Sequence, residues 1–157
     1  MKRICLLLII LVLTGAACGC TAQQNADGRY SAEFAYDPQQ YMLFINKELQ
    51  APVNQMSSVL AALKKETSTE TLEQLLCSAE TTVSESLQSI RVMRPPAQYT
   101  ETSERITGYL EEVKGLYGRL LDALETGSFS DEDTLVAAEQ LQECYFLLTS
   151  EANTYWK

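Results

Sequence analysis

Four stretches of the chain carry apolar residues three and four positions apart, the spacing that places side chains on one face of an α-helix. No stretch alternates apolar and polar residues as a half-buried β-strand would. The pattern predicts helices at about residues 38–65, 69–92, 97–126 and 131–156. Because each helix has one apolar face and short polar turns join them, the four faces can be buried together in an up-down-up-down four-helix bundle. The predicted fold class is all-α.

The same spacing predicts which side chains form the core. The predicted core residues are, in chain order, Met42, Ile45, Leu49, Val53, Met56, Leu60 and Leu63; Leu72, Leu75, Leu76, Ala79, Val83, Leu87 and Ile90; Ile106, Tyr109, Leu110, Val113, Leu116, Tyr117, Leu120, Leu121 and Leu124; and Leu135, Ala138, Leu141, Tyr145, Leu148, Ala152 and Tyr155. The third of these stripes is the most regular.

Capping and helix-breaking residues set the predicted ends of the helices. Asp37 followed by Pro38 is a typical start of the first helix, and the pair Pro95 and Pro96 ends the second. Gly127 ends the third helix, and Ser130 with three following acids starts the fourth. Asp131 and Asp133 also have the spacing of calcium ligands, but the Gly and the distant Glu of a calcium loop are missing, so capping is the preferred explanation.

Pro52 and three glycines interrupt otherwise regular helical patterns. Proline lacks an amide hydrogen and clashes with the preceding turn, so we expect a kink or a break near residues 49–52. Alternatively, Pro52 begins a second, separate helix. Gly108, Gly115 and Gly118 lie in the third helix, where glycine is unfavourable. These four residues define a candidate groove between the first and third helices, although tolerance of glycine in a well-packed helix is the preferred explanation of the glycines.

The first residues of the chain have the composition of an export signal. Two basic residues precede an apolar run from Cys5 to Leu13, and small residues follow. The run is too short for a transmembrane helix, which needs roughly 20 residues. A cysteine stands directly after the small residues, in Gly15-Ala16-Ala17-Cys18. This leader resembles that of bacterial lipoproteins, in which a diacylglyceryl group is attached to the cysteine and a signal peptidase cuts just before it.

The resemblance implies that Cys18 carries the lipid, with Cys20 as the alternative. A plain secreted protein cleaved after Ala17 is the competing interpretation. The predicted organisation is a signal peptide at 1–17, a lipidated N-terminus and flexible tether at 18–36, and the helical bundle at 37–157. A flexible tether of this length reaches roughly 20 to 25 Å, which would hold the bundle close to the membrane.

Composition limits what the mature body can bind. Two of the chain's 12 basic residues lie in the leader, which leaves 10 against 21 acidic residues and a net charge of −11. Such a body will not bind nucleic acid by neutralising phosphates, and anionic lipid headgroups will repel it. Membrane attachment is therefore expected to depend on the acyl anchor.

Residue types also limit the chemistry. The chain has no histidine, which excludes His-dependent triads and His-containing metal sites. Cys77 and Cys144 are too few for a zinc site. In a simple bundle the second and fourth helices are diagonal, so these two cysteines are expected to be separate, buried and unreactive thiols. No catalytic residue, cofactor or metal site is predicted beyond the covalent lipid.

Two functional hypotheses follow. The first is a lipid-anchored extracytoplasmic protein whose helical bundle binds another protein or an envelope component without catalysis. The second is a small-ligand carrier that opens between the first and third helices. An enzyme is disfavoured because only scattered carboxylates could support one.

We predict that Cys18 carries the lipid. Mass spectrometry of the mature N-terminal peptide should show a diacylglyceryl adduct on Cys18, and Cys18→Ser should release or mislocalise the protein. An adduct on Cys20 would support the lipoprotein assignment but show that Cys18 is not the lipidated residue. An unmodified, freely secreted chain would contradict both the assignment and the site.

Overall fold

The computed structural model describes residues 37–65 and 67–154, with side chains described as far as residue 152. The predicted leader and tether, with Cys18 and Cys20, lie outside the described residues. Tyr155, which was predicted to face the core, lies outside them as well. None of the described helices is long and apolar enough to cross a membrane.

The described residues form four long helices and contain no β-strand. Helix α1 spans Pro38–Leu63, α2 spans Thr69–Val92, α3 spans Thr100–Glu125 and α4 spans Asp131–Thr154. The all-α prediction is confirmed. The third helix was expected to begin near residue 97, but Ala97–Tyr99 form a 3₁₀ turn instead. That turn is closed by a bond from the Tyr99 amide to the Pro96 carbonyl at 2.8 Å.

Side chains satisfy the backbone groups at the helix ends. At the start of α1, the Asp37 carboxylate accepts a hydrogen bond from the Gln39 amide at 2.8 Å. Gly127 has φ +67°, a left-handed conformation that suits glycine. It donates to Leu124 at 3.2 Å, and the next amide, that of Ser128, donates to Ala123 at 2.9 Å. These two bonds form a Schellman motif, so Gly127 ends α3 as predicted.

Each helix packs against its neighbours in the chain, and α1 also packs against α4. The pairs α1/α3 and α2/α4 share no comparable contact among the described residues, which places the members of each pair diagonally. Between α1 and α2, Glu48 meets Ser86 and Gln55 meets Ser78, so these helices are antiparallel. The direction of α3 relative to α2 is not fixed by such paired contacts, and the full up-down-up-down order stays a prediction.

Helices α3 and α4 are also antiparallel and are joined by a charged pair. The Arg105 guanidinium binds both carboxylate oxygens of Glu151, with Nε to Oε1 at 2.6 Å and Nη2 to Oε2 at 3.2 Å. Nearer the other end, Arg119 donates to Gln140 at 3.4 Å. A two-pronged arginine–carboxylate bond has fixed geometry. It therefore ties the C-terminal part of α4 to the N-terminal part of α3.

Most of the predicted core residues lie in one continuous apolar cluster to which all four helices contribute. The cluster also contains Tyr41 and Val59, which the spacing rule did not select. Tyr41 stacks on Tyr99, with ring centroids 5.9 Å apart, and this contact joins α1 to the corner between α2 and α3. Two predictions are wrong. Val53 is half-buried and does not belong to the apolar cluster, and Leu135 is 62% exposed. Leu135 lies on the side of α4 opposite the core, because the inward face begins only with Ala137 and Ala138.

We expect the apolar cluster to hold the bundle together. Leu141→Ala or Leu116→Ala should lower the free energy of unfolding by roughly 2 to 5 kcal/mol through lost burial and the cavity left behind. Urea unfolding measures the change. Leu135→Ala is the matched control on the same helix, and since Leu135 is exposed its effect should stay within about 0.5 kcal/mol. Equal losses for Leu141 and Leu135 would contradict this description of the core.

Candidate functional site

Helix α1 continues through Pro52, which is buried. The expectation of a break, and the alternative of a second helix beginning at Pro52, are therefore wrong, whereas a kink within the continuous helix stays a prediction. Proline removes the amide that would bond to the carbonyl four residues earlier, which is that of Glu48. The Ser86 hydroxyl of α2 donates to this carbonyl at 2.9 Å. Ser86 itself is buried, so a neighbouring helix supplies the hydrogen bond that the proline cannot.

The three glycines do not line a close contact with another helix. Gly108 and Gly115 are exposed, and Gly118 is half-buried. A β-carbon added to Gly108 or Gly118 would have nothing within 4 Å, and one on Gly115 would meet only the Arg119 side chain of its own helix at 3.6 Å. Pro52 is buried, whereas Gly108 and Gly115 face solvent. The described residues thus do not bring the proposed groove residues together.

The two cysteines of the bundle are free thiols, as predicted, but their surroundings differ. Cys144 is buried, whereas Cys77 is exposed, so the expectation that both are buried is wrong for Cys77. Burial first, and then the charge and hydrogen bond of Glu112 and the charge of Glu143, raise the pKa of Cys144 from 9.0 to about 11. Its thiol therefore stays protonated at neutral pH and is a poor nucleophile.

Tyr117 lies beside Cys144 in the interior of the bundle. Burial, followed by the proximity of Cys144, raises the pKa of Tyr117. Its hydroxyl is buried and finds no hydrogen-bond partner among the described residues. A buried hydroxyl without a partner is unfavourable. In the folded state both groups hold their protons more tightly than when exposed, so the free energy of unfolding should fall as the pH rises above their ordinary pKa values.

The acidic run at the start of α4 serves as a helix cap. The Ser130 hydroxyl accepts a hydrogen bond from the Asp133 amide at 3.2 Å. In return the Asp133 carboxylate accepts from the Ser130 amide at 3.1 Å and from its hydroxyl at 2.6 Å. This reciprocal arrangement is a capping box. In the described part of the chain, no three His, Cys, Asp or Glu residues are grouped so as to hold a metal ion.

Helix α4 carries apolar residues on its solvent side as well as on its core side. Phe146 is 68% exposed and Leu135 is 62% exposed. They are eleven residues apart, which corresponds to three helical turns and about 16 Å on nearly the same face. Between and beside them lie Glu139, Gln142 and Glu143. We call these five residues the α4 outer face.

The α4 outer face contains an open surface depression of about 410 Å³, lined by Glu139, Gln142, Glu143 and Phe146. The Lys64 ammonium at the end of α1 donates to the Gln142 amide oxygen at 3.2 Å. The depression therefore combines one large aromatic ring, two carboxylates and an amide. This set can bind a complementary surface, but it includes no activated nucleophile.

The sequence analysis did not single out Phe146, although a signal was present. Phe146 follows the predicted inward position Tyr145 and cannot share its face, since adjacent residues on a helix are about 100° apart. An aromatic residue between the inward positions Tyr145 and Leu148 is a surplus apolar residue on the polar side. Counting apolar residues off the core stripe of each helix would have found it.

Comparisons of the chain with protein-family models, with curated proteins and with solved structures found no match.

We predict that Ser86 compensates specifically for Pro52. Ser86→Ala should lower the free energy of unfolding by about 1 to 3 kcal/mol, because the Glu48 carbonyl is left buried without a partner. In a Pro52→Ala background the restored amide can bond to that carbonyl, so the same serine change should cost less. We also expect Pro52→Ala alone to be stabilising, by less than the roughly 3 kcal/mol of an uncompensated helix proline. Urea unfolding of the four proteins gives the coupling.

Ser84→Ala is the matched control. Ser84 lies two residues before Ser86 on α2, about half a helical turn away, and is only half-buried. Its cost should be small and equal in both backgrounds. Additive effects of the Ser86 and Pro52 substitutions would show that the hydroxyl does not replace the missing amide.

Proposed function

We propose that this protein is a lipoprotein anchored by Cys18 on the extracytoplasmic side of a membrane, and that its helical bundle binds another protein of the cell envelope. In this proposal the bundle has no catalytic role. The lipid is the anchor, and the bundle is the recognition module. The proposal joins two separate arguments, one for the anchor and one for the bundle.

The anchor is supported by the leader sequence. A basic start, an apolar run and small residues directly before Cys18 form the lipoprotein pattern. Two acyl chains on one cysteine are sufficient for stable membrane attachment, whereas a single chain gives only reversible binding. The acidic body would not add attraction to anionic lipids.

The single observation that carries the binding role is the α4 outer face. Individual exposed apolar residues are ordinary on protein surfaces. Here Leu135 and Phe146 lie on one side of one helix, with an open depression beside the aromatic ring. Aromatic residues in such positions contribute strongly to binding when a partner removes them from water. The opposite side of α4 packs in the core, so the α4 outer face is not needed for the packing of the bundle and can contact a partner.

The carrier hypothesis lacks comparable support. It needs a cavity between α1 and α3, but Pro52 is buried and its backbone defect is compensated by Ser86, while Gly108 and Gly115 face outward. The depression described above lies on the outside of α4 instead. Interaction with a protein is therefore the function we favour.

Site-specific photo-crosslinking in cells tests this proposal. A photoreactive phenylalanine analogue replaces Phe146 or Leu135 in the full-length protein, and the exposed residues Leu43 and Val92 on α1 and α2 serve as matched control positions. We expect a discrete crosslinked product from the α4 positions, lost when Cys18→Ser removes the anchor. Products of equal yield from all four positions, or none from any, would contradict a binding role for this face.

A further inference from the structure

We propose that the α4 outer face is the docking site for a basic amphipathic segment of a partner protein, in which lysines or arginines flank apolar side chains. The proposal deepens the binding role described above and rests on it. It adds the chemistry of the partner and the residues that select it.

The charge of α4 carries the first part of the argument. Between Asp131 and Thr154 the helix has six acidic residues and no lysine or arginine. Each of the other three helices contains at least one basic residue. A partner that docks along α4 therefore meets carboxylates from the helix itself and no cation from it. Opposite charge on the partner increases the association rate and excludes acidic competitors.

Within the described residues, some acidic residues of α4 are bonded to other groups of the bundle, and others are not. Glu151 is held by Arg105, and Asp133 is used in the cap of the helix. In contrast, Glu139 and Glu143 form no salt bridge within the described part of the chain. Both are exposed, and both line the depression with Phe146. These two carboxylates are therefore open to a partner cation beside the Phe146 ring.

Two basic side chains from other parts of the bundle bond to neutral amides of α4. Lys64 donates to the amide oxygen of Gln142 at 3.2 Å, and Arg119 donates to that of Gln140 at 3.4 Å. Neither of these described side chains forms a salt bridge with Glu139 or Glu143. A lysine or arginine from outside can complete the pairing that the bundle itself does not make.

The apolar residues supply the second half of the match. Phe146 borders the depression, and Leu135 lies about three turns away on the same side. An amphipathic helix that lies along α4 can place apolar side chains against both residues. The aliphatic parts of its lysine side chains can cover the surface between them, while the ammonium groups pair with Glu139 and Glu143. Neither a purely basic nor a purely apolar segment satisfies both halves.

Other occupants fit less well. In a two-fold contact between copies of this chain, the same acidic surfaces would face each other, with Glu139 and Glu143 of both copies in one interface. Like charges in that arrangement repel. A membrane surface rich in anionic lipids would be repelled for the same reason. A basic protein segment is the partner that both the charge and the apolar residues favour.

Three synthetic probe peptides test the proposal. The first is a basic amphipathic helix of about five turns, with leucines on one face and lysines on the other. The second keeps the leucines and replaces the lysines with glutamates, and the third keeps the lysines and replaces the leucines with serines. Binding is measured by fluorescence anisotropy against the full-length lipidated protein in phosphatidylcholine nanodiscs, with empty nanodiscs as the blank. We expect only the first peptide to bind well.

Variants locate the binding on α4. Glu139→Gln with Glu143→Gln should weaken binding of the basic peptide about tenfold at low salt, and less at high salt where charges are screened. Phe146→Ser should weaken it about tenfold at both salt concentrations. Glu85→Gln with Glu104→Gln removes two exposed carboxylates from other helices, so this variant has the same net charge as the Glu139 and Glu143 double variant. Leu43→Ser removes an exposed apolar residue from α1. These matched controls should leave binding unchanged, and circular dichroism confirms folding of each variant.

Equal weakening by the two glutamate double variants would overturn the proposal, because the peptide would then respond only to net charge. Equal weakening by Phe146→Ser and Leu43→Ser would overturn it as well. Self-association that is lost with Phe146→Ser would show that a second copy occupies the face. If the peptide does not bind and photo-crosslinking at Phe146 still captures a discrete product, the binding function stands and only the basic chemistry of the partner is wrong.

Discussion

The continuity of α1 depends on a hydrogen bond that it cannot make by itself. Pro52 removes one backbone donor from the middle of the helix, and the Ser86 hydroxyl of α2 supplies a donor to the carbonyl left behind. Since α1 packs against both α2 and α4, an interruption at this point would withdraw apolar residues on either side from the core. The proline is thus accommodated by tertiary structure. The compensating bond from Ser86 forms only because α2 lies beside α1 in this register.

Helix α4 has apolar residues on two opposite sides, one packed in the core and one exposed to solvent. Its inner side contributes Ala137, Ala138, Leu141, Cys144 and Leu148 to the core, while its outer side exposes Leu135 and Phe146. Its acids divide similarly into those used by the bundle and those left free. The Arg105–Glu151 pair and the Ser130 cap hold the two ends of the helix. Between them, Lys64 bonds to Gln142 and Arg119 bonds to Gln140, and within the described part of the chain Glu139 and Glu143 form no salt bridge. A helix held at both ends, with unpaired carboxylates beside an exposed aromatic ring, suits the binding role proposed here.

The arrangement of the helices explains why the two cysteines of the bundle do not form a disulfide. Cys77 and Cys144 lie on α2 and α4, which are diagonal in the bundle, and one is exposed while the other is buried. Cys144 is instead packed near Tyr117 and Glu112, where its raised pKa keeps it protonated. Stability then rests on apolar burial, which for a body of this length can provide a sufficient core without a crosslink.

Local rules determined much of this protein from the sequence. Apolar spacing located four helices, and capping chemistry located several of their ends, because both depend on residues only a few positions apart. Asp37, Ser130 and Gly127 act as their residue types predict. The proposed lipid anchor likewise rests on a local pattern at the start of the chain, without any contribution from the fold.

Contacts between helices decided what the local rules could not. Pro52 was expected to kink or break α1, but the helix continues. The carbonyl that the proline leaves without a donor is bonded by Ser86, which is 34 residues away in the chain and is placed opposite Glu48 only by packing. Leu135 was assigned to the core because its spacing is helical, yet its exposure depends on where the inward face of α4 begins. Periodicity shows that a helix has an apolar side, but not which of two apolar sides its neighbours cover. That choice follows from how four helices fill one core, and it left Phe146 on the outside.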